Sequence, residues 1–296
     1  MKNLHLLTLS MLLALPIAAQ AQVIYNSLPS SPTYNVPSQA YEATQTSEFG
    51  DEISLAGSSS LANVTIGLSD WAVASTYLDG SGNALPAYSS IASSLSTAGF
   101  TVPLTVNIYS VNNAGSTPAA GALLGSVTTN TLVAWRPEGV ANPANPSDTS
   151  GWIAADGNYY HGLYTTASFN FSGQNIVLPN QVIVTLAFNT TNYGANPTGV
   201  VAPYDSLNFA LGSAAPSVGS EVNPGTVFLN SSSPGQYNEG GANGSGALVQ
   251  DTGWTGYVPA IEVTTAAVPE PSSWMLGLIC AGLLVCLFKR TRAAQV

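Results

Sequence analysis

The sequence predicts an all-β fold, a β-sandwich of the jelly-roll type, followed by a single C-terminal transmembrane helix. Apolar residues recur at every second position in several segments, which is the period of a strand with one buried face. Clusters of Gly, Pro and Asn separate these segments, as turns separate the strands of a sandwich. An unbroken apolar run from Trp274 to Phe288 predicts the helix.

The first 21 residues have the pattern of a secretory signal peptide. Lys2 precedes the apolar stretch LHLLTLSMLLALPIAA, and the small residues Ala19 and Ala21 frame a cleavage site. We expect signal peptidase to cut after Ala21, so that the secretion machinery exports the rest of the chain. An N-terminal core helix is the alternative interpretation of the same apolar stretch.

Segments of alternating or continuous apolar residues predict the strands. Ala62, Val64, Ile66 and Leu68 alternate with mostly polar residues, whereas QVIVTLAF is nearly all apolar, as expected for a central strand. The predicted strands are 61–68, 103–111, 164–171, 181–188, 206–211, 226–229 and 260–264. A short helix is predicted within SSIASSLSTA, and long loops over 79–99, 136–161, 189–204 and 231–246.

The charge of the predicted exported part limits the classes of molecule that it can bind. Residues 22–267 hold 14 of the 15 acidic residues and one of the five basic residues, a formal net charge of −13. Such a surface repels nucleic acid and attracts cations. Both cysteines, Cys280 and Cys286, lie in the predicted anchor, so the exported part contains no disulfide. Its content of Val, Ile, Leu, Trp and Tyr favours a folded core over disorder.

Few residues of the exported part are suited to catalysis, and we predict that it is not an enzyme. His161 is its only histidine, which is too few for a usual zinc site, and no G-x-S-x-G elbow precedes a helix. A glycosidase needs only two carboxylates, for example Glu52 with Glu262 from different strands. The alternative function is therefore a secreted glycan-active enzyme, a hydrolase or a lyase, on a jelly-roll scaffold.

The acidic segment EATQTSEFGDE is a candidate calcium site, the one cofactor that the sequence suggests. Carboxylate, carbonyl and amide oxygens are the ligands that Ca²⁺ prefers, and a late acid could complete the set. The alternative is a solvated acidic edge that resists pairing with other strands. The candidate ligands are Glu42, Glu48, Asp51, Glu52 and Asp251.

The loop GWIAADGNYYHG is the candidate glycan-binding platform. Flat aromatic rings stack on sugars, and nearby acid and amide groups can bind their hydroxyls; alternatively, the tryptophans close the ends of the sandwich core. The candidate residues are Trp152, Asp156, Asn158, Tyr159 and Tyr160. Arg136, the one basic residue of the exported part, is expected to pair with an acid and stack on Trp135, or else to bind a sugar carboxylate.

The C-terminal tail resembles the PEP-CTERM sorting signal of Gram-negative bacteria. A Pro-Glu-Pro motif precedes a short apolar helix and a basic end, which is the order of that signal. The resemblance implies that an exosortase-type membrane protease removes the tail near the motif. A docked core helix is the alternative reading of the apolar run. The residues that match are Pro269, Glu270 and Pro271, then Lys289, Arg290 and Arg292.

Segments of the body, such as FGDEISLAG and YDSLNFALG, are similar to exported bacterial β-sandwich proteins that often carry such tails. We expect a non-enzymatic cell-surface or extracellular-matrix protein, with extracellular polysaccharide as a candidate partner. It would cross the inner membrane and be held there transiently before it reaches the envelope or the exterior. The predicted parts are a signal peptide (1–21), a β-sandwich domain (22–263), a linker (264–271), a transmembrane helix (272–288) and a basic cytoplasmic tail (289–296).

Overall fold

A computed structural model describes residues 21–30, 34–57, 60–115, 117–232 and 247–266. Ala21 belongs to these ranges. The rest of the predicted signal peptide with Ala19, the Pro-Glu-Pro motif 269–271, the predicted helix 272–288 and the basic residues Lys289, Arg290 and Arg292 lie outside them. No helix within the described ranges has the length and apolar composition that a membrane crossing needs.

The described chain is mostly β, as predicted, and its paired strands are antiparallel. The first half contains β1 (Val23–Asn26), β2 (Ser38–Ala40), β3 (Thr46–Ser54), β4 (Leu61–Asp70), β5 (Leu95–Ser96), β6 (Gly99–Asn112) and β7 (Ala119–Ala134). The second half contains β8 (Trp152–Ile153), β9 (Tyr159–Tyr160), β10 (Leu163–Asn170), β11 (Gln181–Ala187), β12 (Leu207–Gly212), β13 (Ser220–Glu221), β14 (Thr226–Ser231), β15 (Val249–Thr252), β16 (Val258–Pro259) and β17 (Ile261–Thr265).

In the part of the chain that the structure describes, helical structure is confined to short segments between strands. One helix, α1, spans Ala74–Tyr77, and 3₁₀ helices span Pro86–Ser94, Ser172–Gln174 and Pro203–Ser206. The helix expected within SSIASSLSTA is therefore corrected in part. The 3₁₀ helix ends at Ser94, because Leu95 enters a strand and pairs with Phe100.

Two large sheets enclose one hydrophobic core. The first has the order β1-β17-β4-β12-β16, with β10 paired to β4 and β2 paired to β12. The second has the order β15-β14-β3-β11-β6-β5, with β13 paired to β3 and β7 paired to β6. Phe49 of the second sheet meets Phe209 of the first edge to face, with ring centroids 5.3 Å apart. Since both rings are fully buried, the inner faces of the sheets form the core, an arrangement consistent with a β-sandwich.

The third sheet is a small hairpin formed by β8 and β9, within the loop predicted over 136–161. Trp152 pairs with Tyr160, and Ile153 pairs with Tyr159. The tight turn between them contains Gly157 at φ 81°, a conformation that residues with a Cβ rarely adopt. This hairpin carries the aromatic residues that the sequence singled out.

Candidate functional site

Trp152, the first aromatic residue of the predicted platform, is buried. Its side chain is 8% exposed, and its indole Nε1 donates a hydrogen bond of 3.0 Å to the carbonyl of Gly162. Its ring packs edge-on against Tyr34, with centroids 6.2 Å apart. Trp152 thus fits the alternative reading, in which a tryptophan closes the end of the core, and it offers no flat face to a sugar.

Asp156 organises the turn at the tip of the hairpin. One carboxylate oxygen accepts from the backbone N–H of Asn158 at 2.9 Å, and the other accepts from the Asn158 amide at 3.0 Å and the Tyr160 hydroxyl at 2.7 Å. The backbone N–H of Asn158 and the Tyr160 hydroxyl lower the pKa of Asp156. The structure therefore brings Asp156, Asn158 and Tyr160 together, as the sequence predicted, in a turn that solvent can reach.

A second carboxylate, Asp148, ties Tyr159 and His161 to the same loop. Tyr159 Oη accepts from the backbone N–H of Gly151 at 2.6 Å and lies 3.1 Å from Asp148 Oδ1. Asp148 Oδ2 lies 3.1 Å from His161 Nε2. Hydrogen bonds from the hydroxyl and backbone N–H of Ser150 hold the pKa of Asp148 well below its usual range. The carboxylate thus stays charged and orients the imidazole.

Trp71 provides the exposed aromatic face that Trp152 lacks. Its side chain is 42% exposed, and its indole lies almost parallel to the His161 ring, with centroids 5.7 Å apart and 11° between the planes. The antiparallel pairing of β4 with β10 explains this contact: Leu163 lies opposite Asp70, so the residues that follow Asp70 run beside those that precede Leu163. The sequence contains no signal that places Trp71 beside His161.

Ser69 and Gly162 restrain the position of the Trp71 indole. Its Nε1 donates to Ser69 Oγ at 3.2 Å, and Ser69 Oγ donates to Asn35 Oδ1 at 2.9 Å. A Cβ on Gly162 would lie 2.8 Å from the indole Nε1 and 2.5 Å from Ser69 Oγ. Position 162 therefore accommodates glycine alone without displacing the indole.

Arg136 fixes the backbone of Trp71. Its Nε donates to the Trp71 carbonyl at 2.9 Å, and its own backbone N–H donates to the carbonyl of Ala72 at 3.1 Å. The carboxylate of Asp70, the residue before Trp71, accepts a hydrogen bond from the backbone N–H of Ala72 at 3.1 Å. Burial raises the pKa of Asp70 to about 7, although the neighbouring N–H groups and the Arg136 charge oppose the rise. Among the described residues Arg136 forms no ion pair with an acid, and its guanidinium bonds instead to the carbonyls of Trp71 and Pro137, so the predicted pairing is wrong.

We call this region the Trp71 surface, defined as Trp71, Tyr159, Tyr160 and His161 together with Asp148 and Asp156. An exposed indole face lies beside an imidazole, two half-buried tyrosines and two charged acceptors. Stacking on aromatic rings and hydrogen bonding to carboxylates are two of the contacts that a sugar ring can make with a protein. The arrangement is therefore suited chemically to binding a carbohydrate.

The acids of the predicted calcium site have separate partners. Glu42 accepts from the Asn192 side chain, Glu48 from Asn107 at 2.9 Å and from Tyr109 at 3.0 Å. Glu52 accepts from Asn223 at 3.1 Å, and Asp251 from the Trp254 indole at 2.9 Å. Asp51 is buried, with one oxygen bonded to the backbone N–H of Glu52 at 2.8 Å. Within the described ranges, no three acidic, histidine or cysteine side chains converge on a point that could hold a metal ion.

The acid pair considered for glycoside hydrolysis comes from different sheets. Glu52 belongs to β3, whereas Glu262 belongs to β17 and accepts from the Asn26 amide at 3.0 Å. Burial raises the pKa of each carboxyl group. Both carboxylates thus hydrogen-bond to asparagine side chains of their own sheets or adjoining loops.

No protein-family model, curated protein or solved structure matches the chain.

Proposed function

We propose that the chain is an exported, non-enzymatic protein of the cell surface or extracellular matrix, and that it contacts glycan through the Trp71 surface. The observation that carries this proposal is the half-exposed indole of Trp71, stacked on His161 at 5.7 Å beside the carboxylate of Asp148. An exposed indole beside a charged acceptor offers a sugar ring both an apolar face to stack on and a group that accepts hydrogen bonds.

Rigidity supports a binding role for this surface. A hydrogen bond from the Arg136 side chain to the Trp71 carbonyl, the hydroxyl of Ser69 and the packing of Gly162 all restrain Trp71 before any ligand arrives. Asp148 and Asp156 likewise hold His161 and Tyr160 through existing hydrogen bonds. A restrained surface loses little conformational entropy on binding, which favours affinity.

The localisation is part of the same proposal. The N-terminal pattern of 1–21 and the order of Pro-Glu-Pro, apolar run and basic end support export followed by PEP-CTERM sorting. In this account the apolar run forms a transmembrane helix that anchors the chain until an exosortase-type protease acts. Jelly-roll connectivity of the sandwich also belongs to the proposal. A net charge of −13 over residues 22–267 disfavours nucleic acid as a partner.

A glycan-active enzyme is the second candidate, and one observation favours it. His161 Nε2 lies 3.1 Å from Asp148 Oδ2, with the Tyr159 hydroxyl bonded to the same carboxylate. A histidine oriented by a carboxylate beside a tyrosine is a pairing that can transfer protons. A lyase or hydrolase would release shortened sugar chains, whereas a binding protein would leave the polymer intact.

Cosedimentation of the full chain with the extracellular polysaccharide of its host distinguishes the candidates. Binding without new reducing or unsaturated ends supports the matrix role. Release of sugar that is lost in His161→Ala supports the enzyme. The absence of both binding and sugar release would contradict both candidate functions.

A further inference from the structure

Among the buried side-chain oxygen atoms of the described residues that have no hydrogen-bond partner, three belong to strands β1, β3 and β13. They are Tyr25 Oη, Asp51 Oδ2 and Glu221 Oε1. Tyr25 is fully buried and Asp51 is 2% exposed. Nearly all buried polar atoms in proteins are paired, so each of these atoms requires an explanation, such as a shared proton or a bound ion.

Strand geometry brings the three side chains together. Asp51 lies on the same face of β3 as Phe49 and Ile53. Since both of those residues belong to the core, the carboxyl group of Asp51 also faces inward. Glu221 pairs with Ile53 in the register of β13 and β3, which places it on the same face. Tyr25 comes from β1 in the opposite sheet, and its hydroxyl is close enough to feel the charge of both acids.

The turn before β13 packs against Tyr25. Gly219 has φ 72°, and a Cβ there would lie 2.8 Å from the Tyr25 ring. The backbone N–H of Asn26 also donates to the carbonyl of Val218 at 3.0 Å. The chain that leads to Glu221 is thus packed directly against the tyrosine, and Glu221 itself is half-buried at the margin of the site.

The two carboxylates have no protein cation near them. Burial, then repulsion by Glu221, raises the pKa of Asp51 well above its usual value, and burial raises the pKa of Glu221. Arg136 is the only lysine or arginine of the described ranges, and its guanidinium bonds to the carbonyls of Trp71 and Pro137. The charge that balances these two acids must therefore come from solution, either as a proton or as a bound cation.

We propose that Asp51, Glu221 and Tyr25 bind a divalent cation between the two sheets. Two carboxylates balance its charge, and a donor set made only of oxygen atoms fits Ca²⁺ better than a softer metal. The bound ion would link β1 to β3 and β13, so its effect would be on stability. This site shares only Asp51 with the calcium site predicted from the sequence, and it does not depend on the proposed glycan contact.

Thermal unfolding of the full chain in detergent, first treated with chelator and then titrated with CaCl₂, tests the proposal. Calcium sites of extracellular modules bind with Kd of about 10⁻⁴–10⁻³ M, so the titration extends into the millimolar range. At about ten times its Kd, we expect Ca²⁺ to raise the Tm by about 4 °C.

Variants locate the effect. Asp51→Asn and Glu221→Gln should fold without calcium, because each removes a buried charge, and each should abolish the Ca²⁺-dependent rise in Tm. Glu138→Gln changes an exposed acid by the same charge and should preserve the rise. The proposal is overturned if the unaltered chain does not respond to Ca²⁺, or if both core variants respond as it does. A Tm that rises on acidification but ignores Ca²⁺ would also overturn it, because the two acids would then share a proton.

Discussion

The indole of Trp71 and the imidazole of His161 lie 11° from parallel, with their centroids 5.7 Å apart. Ninety positions separate them in the chain, and the pairing of β4 with β10 brings them together. Asp148 holds the imidazole from one side, and Arg136 holds the Trp71 backbone from the other. The contact thus couples the aromatic surface of the hairpin loop to the end of a core strand.

Trp71 and Trp152 are expected to have opposite roles, one in binding and one in stability. Trp152→Ala should lower the free energy of unfolding by about 3–5 kcal/mol, because a buried ring and its hydrogen bond to Gly162 are lost. Trp71→Ala should change that free energy by only about 0.5 kcal/mol and should abolish glycan binding. Urea unfolding and cosedimentation of each variant provide the comparison. A Trp71→Ala chain that binds normally would mean that this ring is not the platform.

Gly162→Ala should displace the indole without touching the ligand. The added methyl group would lie 2.5 Å from Ser69 Oγ and 2.8 Å from the Trp71 Nε1, so these atoms must move. Overpacking of this kind costs about 1–3 kcal/mol, and we expect glycan affinity to fall as well. Gly173→Ala is the matched control, since a Cβ at Gly173 meets nothing within 4 Å. Unchanged affinity in Gly162→Ala would show that the position of the indole is unimportant for binding.

Asp70 should make the stability of the fold depend on pH. Its pKa is about 7 in the folded chain against an ordinary value of 3.8, so its folded form holds its proton more tightly. The stabilisation of the fold by this bound proton is complete below pH 3.8 and is lost as the pH rises to about 7. The difference in the free energy of unfolding is on the order of 4 kcal/mol. Asp70→Asn should remove this part of the decline, measured by urea unfolding between those pH values.

The control for Asp70 is an exposed aspartate with the opposite shift. Backbone hydrogen bonds from Asn83 and Ser81 lower the pKa of Asp79, so any stability that its carboxylate provides is lost as the pH falls. Asp79→Asn should therefore leave the decline between pH 4 and 7 unchanged. Equal pH profiles for the unaltered chain and Asp70→Asn would contradict the role assigned to Asp70.

The predicted sorting signal can be tested in cells. Glu270→Ala, or deletion of residues 289–292, should leave an uncleaved form in the membrane fraction, because the motif or the basic end is lost. Ser273→Ala, which alters neither, should be processed like the unaltered chain. Immunoblots of membrane and extracellular fractions measure the outcome. Normal processing of both altered tails would argue against PEP-CTERM sorting.

The strands with clear apolar patterns could be predicted from the sequence. Segment 61–68 lies in β4, and 181–188 covers β11, which is a central strand between β3 and β6 as its apolar run indicates. The strand β7 was missed, because its residues AAGALLGSVTTNTLVA are nearly all exposed or half-buried and show no consistent alternation. Its pairing with β6 determines its structure more than the burial of one face does.

The candidate sites depended on contacts between distant segments. The polar network around Asp156 was predictable, since Asn158 and Tyr160 lie within four residues of it. The partner of His161 was not, because strand register determines which residues face each other across a sheet. The same holds for Asp51, whose pKa is raised more by Glu221, 170 positions away, than by its neighbour Glu52 in the acidic segment.

The most direct test of the account is the binding of purified full chain to the polysaccharide of its host, with Trp71→Ala beside it. Tyr257→Ala is the control, because Tyr257 is as exposed as Trp71, at 43%, and lies outside the Trp71 surface. The account predicts cosedimentation of the unaltered chain and of Tyr257→Ala, and its loss in Trp71→Ala. Equal cosedimentation of all three chains, or of none, would contradict glycan contact through the Trp71 surface.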